Sequence, residues 1–204
     1  MTISLKADAG GTSGFIQING VDKVTVGASG IAAGSYAPGS VTPTELSQKL
    51  TSGTAQNTTS GTSIDFTGIP SWAKRITVMF SGVSTNGNSN PQIQLGDSDG
   101  IENTGYTSYS IQTGTTTVTS GANYTSGFGI AVASAANTMQ GSVVISKIDG
   151  NTWVASGILY RSDTPGSMLC GGSKTLSDTL TQVRITTVNG TDTFDAGTIN
   201  IMYE

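Results

Sequence analysis

Residues 68–84 read GIPSWAKRITVMFSGVS, and this stretch decides the predicted fold. From residue 75 onward the side chains alternate, which places Ile76, Val78 and Phe80 on one face of the segment. An alternation of period two is the signature of a half-buried β-strand. The same pattern recurs about every ten residues to the end of the chain, with glycine-rich turns between the repeats. We therefore predict an all-β fold, a jelly-roll-like β-sandwich, over residues 64–204.

Eight further strands are predicted in this domain: PQIQLG, YTSYSI, FGIAVAS, GSVVISKI, TWVASGILY, SMLCG, QVRITTV and GTINIMYE. Asp149-Gly150 and Asn189-Gly190 are predicted hairpin turns, because both turn positions favour residues that tolerate positive φ. Pro70 and Trp72 are predicted to start the first strand. The indole of Trp72 should then cover one end of the core, and a sugar-stacking platform is the alternative.

The N-terminal part predicts a separate arm. In GFIQINGVDKVTVGASG, two alternating runs flank Asn19-Gly20, which is a strong hairpin signal. Residues 42–50, TPTELSQKL, predict one short helix with Thr42 as the N-cap and Glu45 completing a capping box. We predict an attachment and oligomerisation arm over residues 1–50, a polar linker over 51–63 and the sandwich over 64–204.

Composition excludes several classes of function. Only 11% of the residues are charged and the net charge is −4, whereas an average domain is about 25% charged. Without a basic cluster, nucleic-acid binding is not expected. Without a long apolar run, membrane insertion or a secretory signal is not expected either. The sequence has no histidine and a single cysteine, which disfavours nucleophilic and general-base catalysis, so we predict that the protein is not an enzyme.

One acidic loop is the predicted metal site. In LGDSDGIENTGY, residues 95–106, three carboxylates occur within six residues: Asp97, Asp99 and Glu102. Carboxylate oxygens are the ligands that Ca²⁺ prefers, although the spacing is not that of an EF-hand. Ca²⁺ is therefore the one candidate cofactor, whereas a solvated acidic loop without a cofactor is the favoured interpretation. A glycosidase pair is disfavoured because nothing nearby would desolvate one carboxyl selectively.

Aromatic side chains among short polar residues predict a ligand-binding surface. Tyr106, Tyr109 and Tyr124 lie in a segment of Thr, Ser and Asn, and Trp153 directly follows a predicted hairpin turn. Amphipathic aromatics with small polar neighbours are common in binding surfaces. For the tyrosines, the favoured interpretation is that the rings pack at strand edges with their hydroxyls pointing outward, and for Trp153 the choice between a core anchor and an exposed platform stays open.

Two stretches carry a resemblance to a known family. FTGIPSWAKRITVMFSGVSTNG and the closing FDAGTINIMYE resemble the ends of a C-terminal module found in many tailed-bacteriophage fibre and related virion proteins, and IQLGDSDGIENTGY fits the same pattern. The resemblance covers residues 64–204. The opening hairpin is similar to short β-repeats of fibre shafts. This resemblance implies a phage particle, threefold assembly, and either host binding or particle decoration. It implies no catalytic residues.

These observations predict a virion structural protein. The favoured function is a homotrimeric tail-fibre or tip protein that binds a glycan or protein on the host surface and contacts other virion proteins through residues 1–50. The alternative is a capsid decoration or head-fibre protein that docks on the shell through the same arm. No long repetitive shaft is present in the sequence, which keeps that alternative open.

Overall fold

The computed structural model describes residues 3–7, 13–18, 21–27, 30–31, 50–114, 118–132, 134–162 and 165–204. The chain divides into two compact units, Met1–Lys49 and Leu50–Glu204. Within the described residues every regular element is a β-strand. The all-β prediction is therefore confirmed. The predicted helix falls on residues 42–50, of which 42–49 lie outside the described part of the chain.

The first unit holds one antiparallel sheet in the order β1-β2-β3-β4. Its strands are β1 (Ile3–Ala7), β2 (Ser13–Ile18), β3 (Val21–Gly27) and β4 (Gly30–Ile31). Ile18 lies opposite Val21 in the β2–β3 pair. The hairpin predicted around Asn19-Gly20 is thus confirmed, while β1 had no clear sequence signal.

The described residues of the second unit form fourteen strands. They are β5 (Thr51–Ser52), β6 (Gln56–Asn57), β7 (Ser63–Thr67), β8 (Arg75–Thr85), β9 (Pro91–Asp97), β10 (Gly100–Ile101), β11 (Tyr106–Thr113), β12 (Val118–Tyr124), β13 (Phe128–Gly129), β14 (Met139–Asp149), β15 (Thr152–Arg161), β16 (Gly166–Thr175), β17 (Gln182–Thr187) and β18 (Phe194–Tyr203).

These strands form two antiparallel sheets that pack as a sandwich. The nine-stranded sheet has the order β12-β11-β16-β15-β14-β8-β18-β5, with β6 also paired to β18. The five-stranded sheet has the order β10-β9-β17-β7, with β13 paired to β9. This arrangement confirms the predicted sandwich.

The inward-facing side chains of both sheets form one hydrophobic core. In β8 the predicted face is correct, because Ile76, Val78 and Phe80 are all buried. From the other sheet, Ile93 and Val183 are fully buried in the same core. Burial of apolar surface at about 25 cal/mol per Å² is the main term that holds the two sheets together.

The stretch 51–63 differs from the predicted linker. It contributes β5 and β6 to the edge of the nine-stranded sheet, where both pair with β18. Thr58 is completely buried. Its backbone N–H donates to Gly197 O at 3.0 Å and its hydroxyl to Ala196 O at 2.6 Å. A polar segment whose one apolar residue is Ala55 is thus fixed by hydrogen bonds to its neighbour strand.

Three other details of the prediction are corrected. Asp149-Gly150 does form the β14–β15 hairpin, but Asn189-Gly190 connects β17 to β18, which lie in different sheets. In FGIAVAS, among the described residues, the first two alone pair as a strand. Trp72 lies in a turn closed by a hydrogen bond from Ala73 N to Pro70 O, and β8 begins three residues later, at Arg75.

Candidate functional site

The predicted aromatic surface is mostly interior. Tyr106 is 3% exposed. Its hydroxyl accepts a hydrogen bond from Leu95 N at 2.7 Å and donates one to Glu102 O at 3.0 Å. Tyr124 is also buried, and its hydroxyl accepts a bond from Asn90 Nδ2 at 2.9 Å. Burial raises the pKa of both phenols. These two rings are therefore largely enclosed within the sandwich.

Trp153 is buried as well, with 2% of its surface exposed. The ammonium of Lys147 lies 5.8 Å from the ring centroid, within range of a cation–π contact. The indole Nε1 has no hydrogen-bond partner among the described residues. Although Trp153 directly follows a hairpin turn, its ring is not accessible, because residue 153 points inward from β15.

Tyr109 alone among the predicted aromatics is exposed, at 50%. It lies on β11 opposite Gly171 of β16 and Asn123 of β12. Its ring lies over Gly121, where an added Cβ would collide with the phenol. The structure therefore separates Tyr109, on the outer face of the nine-stranded sheet, from the other three aromatics.

The acidic loop forms a hydrogen-bonded network around Ser177. The Ser177 hydroxyl lies 2.8 Å from Asp97 Oδ2 and 2.7 Å from Glu102 Oε1. Asp97 also accepts bonds from the backbone N–H groups of Asp99 and Asp178, at 2.9 and 3.1 Å. The second oxygen of Glu102 pairs with Lys174, whose side chain is 5% exposed. The network ties the β9–β10 loop to the segment that follows β16.

Both carboxylates of this network are held in their charged forms. Hydrogen bonds, first from the Ser177 hydroxyl and then from Asp99 N, lower the pKa of Asp97. For Glu102, burial acts in the opposite direction, but hydrogen bonds from Lys174 and Ser177 outweigh it and lower the pKa. A charge-assisted hydrogen bond stabilises the ionised form of its acceptor.

The predicted metal set does not assemble as three ligands. Asp97 and Glu102 come together through Ser177, while Asp99 is exposed and contributes its backbone N–H instead of its carboxylate. Within the described residues no group of three His, Cys, Asp or Glu side chains is arranged to hold a metal ion. The network's oxygens are already used by protein donors, which fits a structural role for this loop.

The structure contains a polar cavity on the outer face of the five-stranded sheet, which the sequence did not predict. Its volume is about 290 Å³. The lining residues come from β9, β17 and the loops around them: Thr62, Ser63, Gln92, Gln94, Asn103, Ser126, Arg184, Thr186, Thr187, Val188, Asn189 and Gly190. Amides and hydroxyls dominate this set, and it contains no carboxylate and no aromatic ring. We call it the polar pocket.

The floor of the polar pocket is rigidly organised. Gln92 and Gln94, 2% and 6% exposed, flank Ser126. The Ser126 hydroxyl donates to Gln92 Oε1 at 2.8 Å, and Gln94 Nε2 donates to Ser126 O at 2.8 Å. On β17, Arg184 makes two 2.7 Å bonds to Asp65. Buried polar groups that are bonded in this way keep one geometry.

Several polar groups of the pocket are left for a ligand. Gln94 Oε1, Arg184 Nη1, the Asn103 amide and the Ser63 hydroxyl make no hydrogen bonds with the described residues. The set mixes donors and acceptors, and the charge of Arg184 is balanced by Asp65. Such a site fits an uncharged ligand that carries several hydroxyl groups.

Among the described residues, no helix is both long enough and apolar enough to span a membrane. Comparisons with protein-family models, with curated proteins and with solved structures found no match to this chain.

Proposed function

We propose that this chain is a non-enzymatic structural protein of a bacteriophage particle. In this proposal it acts as a homotrimeric tail-fibre or tip protein whose sandwich binds a neutral glycan on the host surface. The polar pocket is the observation that carries the recognition part. The resemblance of residues 64–204 to a virion module supplies the phage setting.

The chemistry of the polar pocket supports a sugar rather than an anion or an apolar ligand. Vicinal sugar hydroxyls both donate and accept, which matches the mixture of Gln94 Oε1, Arg184 Nη1 and the Asn103 amide. An anion site would present donors alone, and an apolar site would present aliphatic walls. A pocket lacking an aromatic platform is expected to bind one sugar unit weakly, and several copies in one particle would raise the avidity.

The acidic network supports a function without catalysis. A retaining or inverting glycosidase needs one carboxyl with a raised pKa to protonate the leaving group. In Asp97 and Glu102, the two carboxylates that the structure brings together, the pKa is lowered in both. Neither group is suited to act as a general acid near neutral pH.

The division into two compact units supports a separate attachment arm. In the proposal, residues 1–50 contact other virion proteins and contribute to the trimer. A small sheet of four short strands buries little by itself and is stabilised by further partners. The small size of this unit also favours a second candidate, a decoration or head-fibre protein that docks on the capsid through the same arm.

Saturation-transfer NMR of the full chain with a panel of millimolar hexoses, N-acetylhexosamines and uronic acids tests the recognition proposal. We expect transfer to at least one neutral sugar. Asn103→Ala should abolish it without changing the melting temperature, since Asn103 is exposed and makes no bond to the described residues. Asn123→Ala, an exposed asparagine on the other sheet, is the matched control. Transfer that is absent from the whole panel, or equal in both variants, would contradict the proposal.

A further inference from the structure

The outer face of the nine-stranded sheet carries large apolar side chains. Ile158 is 65% exposed, Tyr109 50%, Tyr160 45% and Leu169 38%. They are neighbours, since Ile158 lies opposite Leu169 in the β15–β16 pair and Leu169 lies opposite Ile111 in the β11–β16 pair. An exposed cluster of this kind on a soluble domain marks an interaction surface.

One region of this face carries no charged side chain among the described residues, and the ion pair between Arg75, which lies opposite Ser146, and Glu204 is at its border. The described outward positions of β11, β16, β15 and the 142–146 part of β14 hold Ser, Thr, Gly, Val, Ile, Leu and Tyr. The five-stranded sheet provides the contrast, because its outer face holds the Arg184–Asp65 pair and two buried glutamines. Loss of charge combined with gain of aromatic and aliphatic side chains is the signature of an interface core.

We infer that the outer faces of three copies of the chain pack against one another around a threefold axis. This inference rests on the proposed trimeric function and locates its contact. The chain carries a net charge of −4, so like chains approach most favourably through a surface without charge. A partner of opposite charge would find no complement on this face.

The shape of the face also fits a contact between identical copies. Ile158 and Leu169 protrude beside small residues such as Ser142 and Ser156, and together with Val144 they line a shallow hollow of about 470 Å³. Where identical faces meet around a threefold axis, one part of the patch contacts a different part of the same patch on the next copy, so the patch has to supply both a protrusion and a recess. This patch supplies both.

The outer face is large enough to form a substantial part of an interface between copies of the chain. Four strands at about 4.8 Å spacing and seven residues at about 3.3 Å give a flat projection on the order of 440 Å². Side-chain relief adds to that area, and a standard interface removes about 800 Å² from each partner. The face is therefore large enough to supply about half of a standard contact, with the rest coming from elsewhere in the chain.

Analytical ultracentrifugation of the full chain at micromolar concentration tests this inference. We expect the wild-type chain to sediment as a trimer and Ile158→Lys to dissociate at least tenfold more readily, because charges of one sign would be brought together and desolvated. Ile148→Lys is the matched control, since Ile148 is equally exposed, at 65%, but lies at the β14–β15 hairpin end. It should leave the trimer intact.

A cross-linking experiment gives an independent readout. Ser156→Cys introduces an exposed thiol beside Ile158, whereas the natural Cys170 is buried and burial raises its pKa to about 11. A short bis-maleimide should then link copies of Ser156→Cys but not copies of Ser98→Cys, an exposed control on the β9–β10 turn.

The outcomes separate the two claims. A wild-type trimer that persists in Ile158→Lys, with no product from Ser156→Cys, overturns the face contact and leaves the trimer itself standing. A wild-type chain that sediments as a monomer overturns both.

Discussion

Glu102 forms an ion pair with Lys174, a lysine whose side chain is almost completely enclosed by the sandwich. The ammonium also donates to Thr104 O at 3.0 Å and lies 5.3 Å from the Tyr106 ring centroid. A buried cation is tolerated only when its partners stay in place. The conformation of the acidic loop therefore depends on this ion pair. The stability of variants in the pair measures how much the hydrogen-bonded network contributes to the fold.

Glu102→Gln should destabilise the fold, because it leaves the Lys174 charge buried without a counter-ion. Breaking a buried pair from one side typically costs about 3–5 kcal/mol, and partial exposure of Glu102 places the effect near the lower value. Chemical denaturation measures the loss. The double variant Glu102→Gln with Lys174→Met should recover part of the lost free energy of unfolding. If the loss in the double variant equals the sum of the losses in the two single variants, Glu102 and Lys174 do not stabilise the fold as a pair.

Stability should fall on the acid side of neutrality. The folded-state pKa of Asp97 and of Glu102 lies below the ordinary values of 3.8 and 4.5. Lowered values mean that the unfolded chain binds protons first, so the stabilisation is complete above about pH 5 and is lost as the pH falls through the folded-state pKa values.

Thermal unfolding from pH 7 to pH 2.5 tests this dependence. Asp97→Asn should lower the melting temperature at pH 7 and flatten the acid decline. Asp149→Asn, at the exposed β14–β15 hairpin, removes no contact with Ser177 and should keep the wild-type slope. Equal slopes for wild type and Asp97→Asn would contradict the role given to the network.

Trp72→Ala should lower stability and leave ligand binding unchanged. The ring is half-buried, packs against the core and lies 5.7 Å from the Tyr203 ring, centroid to centroid. Removal of a fully buried Trp costs about 3–5 kcal/mol, so about half of that is expected here. Melting and host-cell adsorption are measured together. A normal melting curve with lost adsorption would instead make Trp72 a binding platform.

Deletion of residues 1–49 should leave a folded β-domain that no longer attaches to the particle. The second unit has its own core, and every strand of the two large sheets lies within residues 51–203. Far-UV circular dichroism and cooperative melting measure the fold. If the truncated chain loses its β-signal, the two units form one folding unit and the attachment-arm proposal fails.

Strand alternation made most of the sandwich predictable. Where apolar residues recur with period two, as in β8, the sequence specifies both the element and its buried face. The same rule applies to the tyrosines: Tyr106 and Tyr109 are three residues apart, so one strand places them on opposite faces, and one is buried while the other is exposed. The amino-acid composition of the segment therefore wrongly suggested that Tyr106 and Tyr109 share one surface.

Other features had no local signal. The edge strands β5 and β6 contain no apolar residue, and their position follows from pairing with β18, more than 140 residues away. The polar pocket brings Gln94 next to Arg184 through the β9–β17 pairing. No sequence motif identifies such a site, because its residues are far apart in the sequence. They are also neutral residue types that are common throughout this chain.

The position of the protein in an intact phage particle tests the central claim most directly. Immunogold labelling, with antibodies raised against the full chain, would be applied to particles of the phage that the proposal takes to encode it. The proposal predicts label at the tail end of the particle, at the fibres or the tip. Label on the capsid faces would contradict the tail assignment in favour of decoration, and particles without any label would contradict a virion protein altogether.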